Sequence, residues 1–536
     1  MNQSKKPSVF RTGRAVDISP VLFVPETSSN NRIQLRSLPP DLRSCSLLPT
    51  PLLFSLSEEE HDTTSPLGRP RSGAGQRRGS GGYGSTASLF EHHLFDEMPR
   101  GPVPMEQTSG GGGGGSRRAV VAPARVPRTD YGINDIPRDA LLRVLSRLDA
   151  RLAVRTCVLA RRWRNLWRDM PSINATCLEF ERDKDGECYE SKLRFKKFLD
   201  RLLMLRNPVA LDEFSLWYCF RQDKPVSHST PDVDVYNWME AELKYDCAQS
   251  SLWIRHALLC NSRSLEVVIW DDTLEINPAV FASEHLKSLA LNNVALERGF
   301  FGQLQTGCTA LERLALHDCP ISDFEISSQT LKFLSIGTYC CFQLASHEQL
   351  SISGPNLIHL VFIPVNHNNR NRIPILKNMG SLVTACVSLG KFKSNGLADD
   401  IRQFLLCLSG VQKLEFDSKG TELMMGNNLQ QFPEFNNLKL LTLGRWCLYP
   451  NLYGLIGFLH NSPNLEQLTL ILGLNVDIPE TLKGRPGNGS FACEHLETVE
   501  ILCFEHDPAA SVVKEFLLEG GIPPGQIHTR HLTISS

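Results

Sequence analysis

The chain has 536 residues, 41% of them hydrophobic, and a formal net charge of −2. Such a length points to several domains with a sizeable core, and the near balance of charge gives no global field to select nucleic acid or membrane. Sixteen cysteines are scattered without a C-x-x-C pair, Cys340-Cys341 being the one adjacent pair; zinc spacing is absent and free thiols in a reducing compartment are expected. No apolar run reaches the ~18 residues of a membrane helix. The basic start, MNQSKKPSVFRTGR, leads into no signal-type apolar stretch, so nucleus and/or cytoplasm is the expected compartment.

Residues 1–129 hold little periodicity and are rich in Gly, Ser, Pro and Arg, with six glycines at Gly110–Gly115. Such composition cannot bury enough apolar surface to offset the entropy of ordering, so disorder and a flexible linker are expected. Gly79, Gly81 and Gly84 fit G-x-G-x-x-G, but neither a strand before them nor a helix after them is predicted, so no dinucleotide is expected.

Residues 130–172 form a compact unit of three short helical patterns. Asn134 or Asp135 can cap the first, with Pro137 at its first helical position. Leu141, Leu142, Val144, Leu145 and Leu148 give it a broad apolar face. The second runs around Leu152–Leu159. The third carries Trp163, Leu166 and Trp167 at spacings of three and four, and Pro171 stops it. Between Asn134 and Arg168 stand nine arginines against three aspartates, a net of +6. A cationic module with two tryptophans suits either nucleic acid or an acidic protein partner. Too small to bury much core alone, it reads as half of an interface.

From residue 173 the pattern becomes a repeat with apolar residues at i, i+3 and i+5. It runs Leu265/Val268/Trp270, Leu286/Leu289/Leu291, Leu311/Leu314/Leu316 and onward to Leu465/Leu468/Leu470 and Leu496/Val499/Ile501. The mean period of about 26 residues lies within the leucine-rich-repeat range. Leu211/Phe214/Leu216 is an earlier member, separated by a helical insertion around Tyr236–Cys260. Cys319 is the one clean match to the consensus Asn/Cys. Stacked units make a solenoid whose leucines are core. Alternation then sends i+2, i+4 and i+6 to an exposed concave face. Candidate target-binding residues there are Trp217, Asp271, Arg313, His317, Phe333, His359, Lys413 and Glu415. Their mixed charge suits a protein or peptide better than a phosphate-rich ligand. The pairs Glu284/His285 and Glu494/His495 precede leucine anchors without a nucleophile or metal set, so no catalytic residues, metal or cofactor are expected.

Ile136-Pro137, ALLRVLSRL and AVRTCVLARRWRNLW together resemble the F-box of plant F-box/leucine-rich-repeat proteins. Ile136 replaces the usual Leu, and Leu148-Asp149 stands where Leu-Pro is usual. FNNLKLLTLGRWC and SPNLEQLTLIL resemble late repeats of that family, and CEHLETVEILCFEHDPAASVVKEFLLEGG is similar to its FBD-type C-terminal segment, with Glu505 in place of Gly. The resemblance implies an α/β fold: a three-helix F-box over 130–172, irregular repeats over 173–432, and late repeats with an FBD-like segment over 433–536. It implies a non-catalytic substrate receptor of an SCF ubiquitin ligase. The F-box would dock on a Skp-type adaptor, and through it on cullin and RING subunits, while the repeats capture an unknown protein substrate. Residues carried over as adaptor-facing are Ile136, Pro137, Leu141, Leu142, Leu145, Val154, Val158, Trp163 and Trp167. The alternative is a repeat scaffold unconnected to ubiquitin.

Overall fold

The computed structural model describes residues 136–181, 188–219, 233–270, 273–345, 347–364, 372–389, 397–418, 432–448, 452–472 and 493–532. The expectations for residues 1–129, for capping by Asn134 or Asp135 and for Asp271 fall outside them.

Among the described residues, thirteen strands form one wholly parallel sheet in chain order. They are β1 Ser172–Thr176, β2 Glu213–Cys219, β3 Ser264–Trp270, β4 Ser288–Asn292, β5 Arg313–His317, β6 Phe333–Ile336 and β7 His359–Phe362. Then come β8 Thr384–Leu389, β9 Lys413–Ser418, β10 Leu440–Gly444, β11 Gln467–Ile471, β12 Thr498–Cys503 and β13 Ile527–His531. Register aligns the inward side chains into rows. Ile173, Phe214, Leu265, Leu289, Leu314, Leu334, Leu360, Ala385, Leu414, Leu441, Leu468 and Val499 are successive neighbours, all buried. This is the α/β solenoid expected from the repeat.

One repeat was read out of phase. Leu265 pairs with Phe214 and Leu289, which puts it at i+3, with Val267 at i+5. Val268 and Trp270 therefore keep surface, and the first anchor is Ser262, fully buried with its hydroxyl donating to Ser264 O at 2.8 Å. A serine at a leucine position is invisible to a search for apolar triplets.

The residue before the first anchor carries a second register device. Asn356 Nδ2 donates to Gln329 O (2.7 Å), Ser381 Oγ to Pro355 O (2.7 Å) and Asn464 Nδ2 to Asn436 O (2.8 Å), each reaching the preceding repeat. Cys319, at the consensus position, is buried and aims its thiol at the carbonyls of His317 (3.2 Å) and Leu291 (3.5 Å).

The segments that return between strands are helices in the early and late repeats, whereas between β5 and β8 they include short strands such as Glu325–Ser327, Ser351–Ser353 and Ile375–Lys377, which pair parallel with one another. α1 (Arg138–Leu145) and α2 (Ala150–Arg155) come first among the described residues; α3 (Cys188–Leu205) and α4 (Val233–Leu259) flank β2, α4 being the expected insertion. Further on are α5 (Phe300–Gly307), α6 (Leu397–Leu408), α7 (Tyr453–Asn461) and α8 (Pro508–Glu519). Phe458 of α7 packs against Phe435 and Phe432 at ring separations of 5.3 and 4.9 Å. α8 joins β12 to β13, capped by Asp507 Oδ1 on Ala509 N (2.9 Å). Arg445 of the late repeats pairs with that same Asp507 at 2.7 Å, both largely buried, so the FBD-like segment is tied to the repeats before it.

Truncating Leu314, which is fully buried, to Ala should cost about 3 kcal/mol in denaturant unfolding. Asn464→Ala should cost about 1 kcal/mol through its single lost hydrogen bond.

Candidate functional sites

The segment that resembles an F-box is less regular than three helices. α2 ends at Arg155, and the rest forms 3₁₀ turns at Thr156–Val158, Arg161–Trp163 and Leu166–Asp169. Ala160 is fully extended (φ −158°, ψ 158°), which interrupts the helical path. Pro137 stands at the cap of α1, with Arg138 first in the helix.

Burial divides the nine carried-over residues. Leu141, Leu145, Val154, Trp163 and Trp167 are buried and hold the unit together, so as folded they offer a partner almost no surface. Ile136 and Leu142 are half-buried, while Pro137 and Val158 are exposed. Exposed apolar side chains absent from that set are Val144 (53%), Leu152 (44%) and Leu159 (62%), beside Val158 at 69%. Sequence could not find them, because Val144 and Leu145 fit one amphipathic stripe equally well. Arg143, Arg147, Arg155, Arg161 and Arg164 are all exposed and give this surface its positive charge.

Asp149 explains the missing proline. Its backbone (φ −59°, ψ 147°) is one that proline adopts, yet its carboxylate accepts from Asn174 Nδ2 of β1 at 2.8 Å. Around it, Arg151 N donates to Glu179 Oε2 (3.1 Å) and Arg151 Nη1 to Glu179 O (2.7 Å), with the guanidinium 4.4 Å from the Phe180 ring. Burial lifts Glu179 to about 7. Asn207 N donates to Arg168 O (3.0 Å), and Arg206 Nη2 to Met170 O (3.2 Å). The F-box is thus bonded directly to the start of the sheet.

On the outward face of the sheet, Trp217 donates to Glu266 Oε2 (3.3 Å), as does Ser215 Oγ (2.6 Å). The Trp217 and Trp270 rings lie 6.3 Å apart. Arg313 sits 4.5 Å over Phe333, whose ring is 6.3 Å from His359. His359 Nδ1 is 2.5 Å from Thr384 Oγ1, and His317 Nδ1 is 3.2 Å from Asn292. Burial depresses both histidines, with Arg313 adding to the effect at His359, which keeps them neutral at neutral pH. Trp217, Arg313, His317, Phe333, His359 and Lys413 all retain surface.

Glu415 does not. It is 2% exposed, and its carboxylate finds no donor beyond the weak Cys386 thiol. It lies within a run, Leu414–Ser418, that is buried throughout, so it presents nothing to a target. The pairs Glu284/His285 and Glu494/His495 are exposed in turns, and among the described residues no His/Cys/Asp/Glu cluster could hold a metal. A cleft of about 650 Å³ at the turn edge is lined by Asn436, Lys439, Asn464, Glu466 and His495. Its lining lacks the apolar walls of a typical small-molecule site.

Comparison with known proteins gives these surfaces a context. Residues 133–174 match the F-box domain model, and residues 243–388 match the model described as FBD-associated F-box protein At5g56370, LRR repeats. The chain is 25% identical over 371 residues to F-box/LRR-repeat protein At3g59210 of Arabidopsis thaliana, covering 63% of this chain and 72% of that one. It is 25% identical to the putative FBD-associated F-box protein At1g78730 of Arabidopsis thaliana, covering 65% and 78%. It is 26% identical over 437 residues to MEIOTIC F-BOX protein MOF of Oryza sativa subsp. japonica, covering 75% and 86%.

Burial raises the Glu415 carboxyl to about 7. An acid whose folded pKa exceeds its unfolded value binds more protons when folded, so its contribution to stability is fullest below the unfolded pKa and falls as pH rises toward 7. Glu415→Gln should therefore raise stability at about pH 8 by on the order of 2 kcal/mol and leave it little changed near pH 4. Chemical unfolding at the two pH values reads this out.

Proposed function

We propose that this chain, an F-box/leucine-rich-repeat protein of the plant type, is a non-catalytic substrate receptor of an SCF ubiquitin ligase. F-box proteins with leucine-rich repeats are generally SCF substrate adaptors, and F-box domains generally bind Skp-type adaptors. The observation that carries the reading is an F-box whose apolar side chains Val144, Val158 and Leu159 stand exposed among arginines. Exposed apolar groups ringed by polar ones mark a protein contact, and the cationic rim favours an acidic adaptor and faster encounter.

The outward face of the sheet, with Trp217, Trp270, Arg313 and Phe333, captures the target. Tryptophan and arginine dominate interface energetics because they contribute large area and directed charge. Ubiquitin transfer depends on the distance between a target lysine and the charged conjugating enzyme. The bonded junction between F-box and sheet supports this role by limiting the positions a captured lysine can sample. We also propose the nucleus and/or cytoplasm as the compartment, where free thiols stay reduced; a fluorescent fusion found only in the secretory pathway contradicts this.

Val158→Glu with Leu159→Glu should weaken binding of a Skp-type adaptor about 100-fold, with the melting transition unchanged because both side chains are exposed. Calorimetry on the purified full chain checks it. Failure of the unaltered chain to bind any Skp-type adaptor, or undiminished binding by the variant, defeats the proposal.

A further inference from the structure

α4 is apolar on two opposite faces. Its inner face buries Asp246, Ser250, Trp253, Ile254, Ala257 and Leu258. The Trp253 indole donates to Asp200 Oδ1 of α3 at 2.7 Å, and Lys192 and Lys196 of α3 pair with Asp246. These contacts fix the rotation of the helix about its own axis.

The outer face is exposed and mostly apolar. Tyr245 is 60% exposed, Leu252 61% and Leu259 73%; Ala241, Ala248 and Arg255 are exposed with them. The six positions advance by alternating steps of four and three, which is the seam spacing of paired helices. An apolar stripe at this spacing is ordinarily covered by a partner element. Covering one such leucine is worth about 1.5–3 kcal/mol.

The order of residues along the seam identifies the partner. We propose that α4 packs antiparallel against α4 of a second copy of this chain, with the two-fold axis crossing the outer face at the level of Ser250, which itself lies on the inner face. Reflection about that residue sets Ala241 against Leu259 and Ala248 against Leu252, so each leucine faces an alanine. It sets Tyr245 against Arg255, a guanidinium against an aromatic ring. That ring already lies 5.0 Å from Lys196 Nζ, so it attracts cations in the single chain. An interface on a two-fold axis must be complementary to itself, and all three pairs satisfy that condition about one residue. Parallel pairing would place Arg255 against Arg255 and Leu252 against Leu252, bringing like charges together and doubling the bulk. A helix from an unrelated protein gives no reason for the seam to be symmetric.

The contact from Ala241 to Leu259 is about 27 Å long. A single helix pair of that length buries less than the ~1,200 Å² of a standard interface, so the dimer is weak, with a Kd in the micromolar range. Pairing two receptors would double the number of target-binding faces, and a target offering two motifs would be held by both.

Sedimentation velocity of the full chain from about 1 to 100 µM tests the proposal. The unaltered chain should pass from monomer to dimer over that range. Leu252→Asp should weaken dimerisation about 100-fold with the melting transition unchanged. Ala248→Leu alone should weaken it about tenfold by crowding the opposing Leu252. The exchange of sizes in Ala248→Leu with Leu252→Ala should restore it to within a few-fold, which only antiparallel pairing about Ser250 predicts. A chain monomeric at every concentration overturns the proposal, as it would if the seam served a different protein. So does a dimer indifferent to Leu252→Asp, or an exchange that fails to rescue.

Discussion

The parallel register of the sheet is the constraint on which everything else rests. Each strand between the two edges is aligned by buried neighbours on both sides, and the first strand begins two residues after the F-box core ends at Met170. Asp149 reaches that strand from the F-box through Asn174. The hydrogen bonds at Asn207 and Arg206 then close the loop behind it. One continuous network therefore runs from the F-box into the sheet. In a solenoid each repeat contacts only its neighbours, so the orientation of the whole arm is set at this first junction.

That network also explains how a small unit survives. So few residues cannot bury a sufficient core alone, and here α2 of the F-box packs against β1, with Ala150, Ala153 and Val154 buried on one side and Ile173 and Ala175 on the other. The fold spends its tryptophans on that core and leaves valine and leucine outside. The division suits a docking surface, since small aliphatic groups exposed in water cost less than an indole and still supply contact area.

Much of the architecture was legible in the sequence because leucine spacing encodes the strand pitch directly. Eleven of the twelve residues in the buried row are anchors read from the sequence, all but Ile173, and α4 sits where the insertion was expected. What the sequence hid has particular causes. Ser262 fills a leucine position by satisfying its own hydroxyl, which shifted one repeat out of phase. The buried Glu415 looks outward by alternation, and alternation cannot report what covers a residue. In the F-box, Leu145 and Val144 are adjacent on a wide apolar stripe, and only tertiary packing decides which of them is core. Asp149 was read as a lost proline, whereas it keeps a backbone that proline can adopt and gains a bond to the sheet.

Native-state hydrogen exchange at the junction tests the central claim most directly. If F-box and sheet are one body, the amides of Arg151, Asn207 and Asp212, which donate to Glu179, Arg168 and Pro171, exchange only with the slow opening that also releases neighbouring β2 and β3. Exchange of these amides within seconds, while β2 and β3 stay protected, would mean that the F-box is a loosely tethered head, and the account of a fixed arm would be wrong.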